Sequence, residues 1–127
     1  MAVKRGEIYW AEFNPVKGSE QGGLRPALVV QNDTGNRHSA TTVVVAITRT
    51  LPSRPYPFVV VLDPGEGGLS KQSAVNCGQI ATIHQAGPDS RLRPPFGESA
   101  VRPIGRLSPE RMTQVDEALR YNLALRR

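Results

Sequence analysis

Glycine and proline interrupt this sequence so often that long regular helices have little room, and this restricts the fold more than any other feature. The chain has 12 Gly and 11 Pro. The segments between them either alternate in polarity or are short runs of β-branched residues, and both patterns are typical of strands. Five strands are predicted, over residues 6–13, 27–31, 41–48, 57–62 and 73–83. Neither face of the fifth is purely apolar, so its register stays open.

One segment near the C-terminus predicts a helix. Ser108 can cap its N-terminus, Pro109 suits the first helical position, and Glu110 places an acid in the first turn. Apolar residues then recur at spacings of three and four: Met112, Val115, Leu119 and Leu123. This stripe is expected to pack on the strands. The sequence therefore predicts a mainly β protein, a small and strongly bent sheet or barrel of five or more strands that is closed by a C-terminal helix.

The length predicts a single domain over residues 1–127, because a second core would need more chain than the first leaves. With 39% hydrophobic and 21% charged residues, a chain of this length can bury a core, so a disordered tail or a fibrous repeat is excluded. Three long connections remain, over residues 14–25, 49–56 and 84–100. Long loops in a small domain are often functional.

The chain is basic. Lys plus Arg is 16 and Asp plus Glu is 11, which gives 16 − 11 = +5, and the pI is about 10.0. Arginine supplies 13 of the 16 cations, and its guanidinium binds phosphate in a bidentate manner. The charge favours a phosphate-bearing partner, although the codon preference of a GC-rich genome explains the arginine bias equally well.

The sequence gives no sign of secretion or of a membrane. The single cysteine, Cys77, cannot form an internal disulfide, and no charged-then-apolar leader is seen at the start. The longest apolar runs, residues 27–30 and 43–47, fall far short of the roughly 20 residues of a membrane helix. A cytoplasmic protein with no membrane partner is expected.

Several kinds of chemistry lack their motifs. His38 and His84 have no cysteine or carboxylate at ligand spacing, so no metal site is predicted. The glycine-rich dinucleotide, phosphate-loop and serine-elbow motifs are absent, and no cofactor is expected. Cys77 stands within a predicted strand beside Gly78, where a small buried residue is commoner than a nucleophile.

The most informative stretch is the junction between the first long loop and the second strand. There Arg25 precedes Pro26, which restricts its backbone and places a cation on a rigid edge, where it can meet a phosphate. The alternative is a surface ion pair between Arg25 and Glu20 or Glu12, worth at most about 1 kcal/mol.

An ordered set of motifs resembles the MazF/PemK toxins of bacterial toxin-antitoxin systems. The set consists of RGEIYW at 5–10, NP at 14–15, GSEQG at 18–22, RPALVVQN at 25–32, VVVAIT at 43–48, GL at 68–69, SAV at 73–75, QI at 79–80, RLS at 106–108 and the helical segment 112–123. It covers essentially the whole chain in order. The resemblance implies a plasmid-maintenance toxin barrel related to SH3 barrels, acting as a homodimer. It also implies a metal-independent endoribonuclease that cuts single-stranded RNA at short sequences and is silenced by a cognate antitoxin.

The same resemblance assigns residues to the site. It implies that Arg25 and Thr48 are catalytic, and Glu20, the carboxylate nearest Arg25 in the loop, is the candidate base or base-reading group. The RNA-binding candidates are polar or basic residues within the matching segments or next to them: Lys17, Ser19, Gln21, Arg49, Ser73 and Gln79. Trp10 could stack on a base, but a place in the core or at a dimer interface is the expected one.

The sequence departs from the family pattern at two places. Ala81 stands where the family often has arginine, and Arg49, Arg91 or Arg93 could substitute for that side chain. Residues 84–97 form a longer connection than usual, interpreted as a tolerated surface loop, although a role in specificity, dimerisation or antitoxin docking stays open. Two other functions also stay open, a CcdB-like gyrase-binding toxin and a non-catalytic nucleic-acid-binding barrel. Arg25 and Thr48 in their motif context favour RNA cleavage over both.

Overall fold

The computed structural model describes residues 2–13 and 23–126. Within them the strands are β1 (Glu7–Phe13), β2 (Gly23–Val29), β3 (Thr41–Thr48), β4 (Val59–Leu62), β5 (Ser73–His84), β6 (Leu92–Arg93) and β7 (Gly105–Arg106). The helices are α1 (Asp33–His38) and α2 (Pro109–Leu123), with a 3-10 turn at Glu66–Gly68. The predicted mainly β fold with a C-terminal helix is confirmed.

The strands form one curled antiparallel sheet. Its order is β4-β5-β3-β2-β1-β6, and β7 pairs with β1 beyond that path. Two apolar clusters lie on the two sides of its central strands, which explains why β3 is buried along most of its length. The first cluster, around Ile8 and Leu28, packs against α2. The second contains Tyr9, Ala27 and Leu92.

A bulge divides β5 into two parts. Val45 of β3 pairs with Ile80, but the next residue, Ala46, pairs with Asn76, so residues 77–79 have no opposite residue on β3. The extra residues bend the strand and change which side chains face each cluster. This is why the alternation along residues 73–83 did not define a register. Cys77 is buried in the first cluster, as predicted.

The C-terminal helix begins as predicted but is buried over a shorter stretch. The Ser108 hydroxyl accepts a hydrogen bond from the backbone N–H of Arg111 at 3.2 Å, and Pro109 occupies the first turn. Val115 and Ala118 are its buried residues, whereas Leu123 is 50% exposed. The predicted stripe is therefore wrong at Leu123, because the last turn extends past the cluster on which the helix packs.

Helix α1 was not predicted from the sequence. In α1 the side chain of Asn32 accepts a hydrogen bond from the backbone N–H of Gly35 at 2.8 Å, and the only buried residue is polar, Asn36. The Asn36 amide donates to the Gln31 carbonyl at 3.0 Å and its oxygen accepts from the Thr42 hydroxyl at 2.7 Å. A helix held by a buried amide shows no apolar periodicity.

The predicted bounds of β2 also differ from the observed ones. Strand β2 begins at Gly23, four residues before the predicted start at 27, because its first part pairs with β1 alone. Pro26 is tolerated there because the pairing of β2 with β3 starts only at Ala27, so no partner on that side requires its missing N–H. Neither helix of the described part of the chain is long and apolar enough to cross a membrane.

Candidate nucleic-acid interface

A cleft of about 350 Å³ opens where strands β1, β2 and β3 end near the turn that precedes β5. Its lining is partly apolar and partly basic. The residues around it are Trp10, Leu24, Arg25, Pro26, Ile47, Thr48, Arg49, Gly68, Leu69, Ser70, Lys71, Ser73 and Ile104. Of the predicted site residues, the structure therefore brings together Arg25, Thr48, Arg49 and Ser73.

The cleft brings Arg25 and Thr48 together at the ends of two neighbouring strands. The pairing of β2 with β3 starts at Ala27 and Ala46, and Arg25 and Thr48 each stand two residues beyond that pair. Both residues line the same cleft, so both can contact one bound group. Thr48 is 8% exposed, and its hydroxyl oxygen accepts from the backbone N–H of Thr50 at 3.1 Å. That bond uses a lone pair and leaves the O–H to donate.

The opposite wall of the cleft comes from the segment between the 3-10 turn and β5. It presents the buried Leu69 and the exposed Ser70 and Lys71. Ser73 lies beneath this segment. It is 1% exposed and its hydroxyl donates to the Lys71 carbonyl at 2.9 Å. Ser73 thus faces inward and fixes the backbone that carries Lys71.

Close backbone packing holds this wall in place. Gly68 has φ +78°, and a Cβ added there would collide with the carbonyl oxygen of Ile104, which itself lines the cleft. Only glycine permits both the left-handed conformation and this approach. Glu66, at the start of the same 3-10 turn, is held by α2, because Arg111 donates to both of its carboxylate oxygens at 2.9 and 2.8 Å. These hydrogen bonds hold the pKa of Glu66 below its usual value.

The floor of the cleft is apolar and continuous with the first cluster. Ile47 and Leu69 belong to that cluster, and Ile104 packs against it. Trp10 and Pro26, which pair across β1 and β2, extend the floor to the surface. Trp10 is only half-buried, so the structure places it on the cleft rather than in either core cluster.

The charge around the cleft has one sign. Arg25, Arg49 and Lys71 surround it, and none of the described residues that line it is acidic. A concave surface with several cations over an apolar floor suits a phosphate next to a stacked base. Among the described residues, no group of three or more His, Cys, Asp or Glu side chains lies close enough together to hold a metal ion.

Of the remaining predicted residues, one lies away from the cleft and four are not described. Glu20, Lys17, Ser19 and Gln21 fall outside the described residues. Gln79 is half-buried in the β5 bulge and does not line the cleft.

Ala81 and its suggested substitutes are also placed by the structure. Ala81 pairs with Val44 and packs against the second cluster, where a long cation would need to reach past apolar side chains. Of the three arginines considered as substitutes, Arg49 alone lines the cleft. Arg91 and Arg93 lie at the β6 edge of the sheet.

Sequence reasoning missed Lys71 as a site residue. A signal was available, because Lys71 is one of three lysines and stands between the GL and SAV motifs. Trp10 was assigned to the core or an interface because an aromatic residue on a strand usually packs there. Only the cross-strand pairing with Pro26 reveals that it reaches the cleft.

Fold and cleft together define a class of protein, a small basic domain built on one curled antiparallel sheet with a cation-lined cleft at the ends of its strands. Comparison with known proteins makes the class specific. Residues 4–123 match the model of a family described as PemK-like, MazF-like toxin of type II toxin-antitoxin system. The chain belongs to this family, so the resemblance predicted from the motifs is confirmed.

Individual relatives agree. Endoribonuclease EndoA of Bacillus subtilis (strain 168) is 42% identical over 125 residues, which cover 98% of this chain and 97% of that protein. The solved structure of an endoribonuclease in complex with its cognate antitoxin from Mycobacterial species is 28% identical, with a TM-score of 0.71 and 99% of both chains covered. MazF from Deinococcus radiodurans shares the fold, with a TM-score of 0.74 at 22% identity and 98% of each chain covered.

Proposed function

We propose that this protein is the toxin of a type II toxin-antitoxin system and a metal-independent, sequence-specific endoribonuclease that cleaves single-stranded RNA. The observation that carries the proposal is the meeting of Arg25 and Thr48 at one basic cleft. Membership of the toxin family and the 42% identity to an endoribonuclease support it.

The reaction needs no bound cofactor, because RNA carries its own nucleophile. The 2′-oxygen attacks the adjacent phosphorus and loses its proton to a base, while the bond to the 5′-oxygen breaks and that oxygen takes up a proton. The products are a 2′,3′-cyclic phosphate and a free 5′-hydroxyl. The protein must therefore move two protons and stabilise the negative charge that develops on the phosphoryl oxygens.

Arg25 supplies the charge stabilisation in this mechanism. A guanidinium stays protonated in proteins, so it acts by binding the non-bridging oxygens rather than by donating a proton. Thr48 donates its O–H to the same phosphate, since its oxygen already accepts from Thr50. Glu20 is the candidate base.

The remaining contacts bind the RNA on either side of the reacting phosphate. Arg49 and Lys71 bind neighbouring phosphates, and Trp10 stacks on a base at the mouth of the cleft. Ser73 acts indirectly, by holding the Lys71 backbone. The candidates that remain are polar or basic side chains for base edges and phosphates: Lys17, Ser19, Gln21 and Gln79.

The proposed partners follow from the same function. Single-stranded RNA is the substrate, and a cognate antitoxin covers the cleft through an acidic, apolar segment that folds on binding. The antitoxin complex of the mycobacterial neighbour supports this partner. The toxin acts in the cytoplasm as a homodimer.

The test is cleavage of a long single-stranded RNA in excess EDTA by the purified wild type, Arg25→Ala and Thr48→Ala. Discrete cuts by the wild type, with cyclic-phosphate and 5′-hydroxyl ends and a loss of at least about 100-fold in each variant, are expected. Arg37→Ala is the matched control, because Arg37 is an exposed arginine on α1, away from the cleft. RNA binding without any cut would indicate the non-catalytic barrel, and neither binding nor cleavage would direct the test to gyrase.

A further inference from the structure

A row of side chains crosses the sheet and ends on an arginine outside the cleft. Pro26 of β2 pairs with Trp10 of β1, and Trp10 pairs on its other side with Arg93 of β6. Residues directly opposite each other in antiparallel strands place their side chains on the same face of the sheet. Arg93 therefore stands next to Trp10 on the face that carries the floor of the cleft.

Strand β6 is short but firmly attached. Leu92 is 4% exposed and packs in the second cluster. The backbone N–H of Glu12 donates to the Arg91 carbonyl at 2.7 Å, and that of Arg91 donates to the His84 carbonyl at 2.9 Å. Arg93 is thus held on an anchored edge of the sheet, although it lies within residues 84–97, a connection that is longer than is usual in the family.

The charge of Arg93 is not neutralised by any described residue. Its Nη1 donates to the carbonyl oxygens of Ser90, at 2.8 Å, and Leu92, at 3.0 Å. Within residues 2–13 and 23–126, no carboxylate lies within 4.0 Å of it. Two carbonyl bonds orient the side chain through one nitrogen and leave the Nε–Nη2 edge for a bidentate contact.

We propose that Arg93 binds an RNA phosphate outside the cleft, on the Trp10 side, and so extends the substrate site by a further nucleotide position. The inference rests on the proposed function. Strand β6 lies two strand spacings, roughly 10 Å, from β2, which is about three nucleotides at 3.4 Å per step and fewer in an extended strand. RNA that leaves the cleft over Trp10 reaches Arg93 within that length.

The test compares a minimal RNA, which contains only the mapped recognition sequence, with the same RNA extended by three nucleotides at one end or the other. For Arg93→Gln we expect kcat/KM to fall about tenfold on one of the extended RNAs and to stay unchanged on the minimal one. Arg37→Gln, which removes the same charge from α1, should change neither. Arg93→Lys should recover only part of the loss, because an ammonium cannot make the bidentate contact.

A binding measurement separates this inference from the proposed function. The same RNAs with a 2′-deoxy sugar at the cut cannot be cleaved through the 2′-hydroxyl, and their affinity is titrated against salt. The salt slope for the extended RNA should fall by about one in Arg93→Gln. An unchanged slope, or an equal loss on the minimal RNA, would overturn the role of Arg93. If the wild type cuts no RNA, a short and a longer oligonucleotide of arbitrary sequence replace these RNAs, and a slope that still falls in Arg93→Gln would overturn the nuclease and keep the phosphate site.

Discussion

Replacing Gly68 with alanine should destabilise the protein far more than the same replacement at another glycine with the same backbone conformation. Gly68 has φ +78° and Gly87 has φ +79°, so an alanine at either position adopts the left-handed region. The two differ in their surroundings. A Cβ at Gly68 meets the Ile104 carbonyl, which is backbone, whereas a Cβ at Gly87 meets nothing within 4 Å.

The magnitude follows from these two terms. The left-handed conformation costs an L-residue about 1–2 kcal/mol at either site. The collision at Gly68 forces the Ile104 backbone away and adds about 1–3 kcal/mol, as overpacking does elsewhere. We therefore expect Gly87→Ala to lower the free energy of unfolding by about 1–2 kcal/mol, and Gly68→Ala by about 2–5 kcal/mol.

Urea denaturation measures both values, at one fixed protein concentration because an oligomer's stability depends on it. Gly97→Ala, with φ +81° and open space around it, serves as a second reference for the conformational term. Equal losses in the Gly68 and Gly87 variants would refute the reasoning, since they would mean that the wall of the cleft does not depend on close packing against Ile104.

Other predictions concern three further sites. Arg111 lowers the pKa of Glu66, so their pair stabilises the fold above the unfolded pKa of about 4.3 and loses that effect as pH falls through the folded pKa. The difference in unfolding free energy between wild type and Glu66→Gln should therefore be about 1 kcal/mol at pH 7 and shrink below pH 4. A difference that does not change with pH would contradict this prediction. Burial raises the pKa of Cys77 to about 12, so iodoacetamide at pH 8 should label the unfolded but not the native chain by mass spectrometry, and rapid native labelling would argue against a buried thiol. Asn36→Ala leaves the buried Thr42 hydroxyl without its acceptor and should lower the free energy of unfolding, measured in urea, by about 2–3 kcal/mol. The matched change at the exposed Asn122, Asn122→Ala, should lower it by less than about 0.5 kcal/mol. Equal losses would mean that the buried hydrogen bonds of Asn36 do not stabilise the fold.

The spacing of apolar and capping residues along the sequence predicted the strands and the helix that pack through apolar side chains. Strand β3 has the predicted bounds because β-branched residues fill both of its faces. Helix α2 starts at Pro109 because its cap and first turn are encoded locally. Helix α1 was missed because its one buried residue is Asn36, which hydrogen bonds rather than apolar contacts hold in place.

The cleft was only partly predictable for a similar reason. Arg25 and Thr48 belong to motifs that can be recognised along the chain, and the structure brings them together. Trp10 and, outside the cleft, Arg93 depend on which strands are neighbours, and that is set by pairing between distant segments. Lys71 stands between two recognisable motifs, but the sequence does not show that its segment forms a wall of the cleft. The inward direction of Ser73 depends on a hydrogen bond to the Lys71 carbonyl, which sequence spacing does not encode.

The central claim is that the RNA itself supplies the nucleophile at the Arg25 and Thr48 cleft. The most direct measurement uses one RNA oligonucleotide that carries the mapped cut site and a second that differs only by a 2′-deoxy sugar at the nucleotide 5′ to the cut, both in excess EDTA. The account predicts complete loss of cleavage with the deoxy substrate, while its affinity for the wild type stays within about twofold and Arg25→Ala weakens binding of both. Cleavage of the deoxy substrate at the same bond would contradict the account, because it would require a nucleophile other than the 2′-hydroxyl.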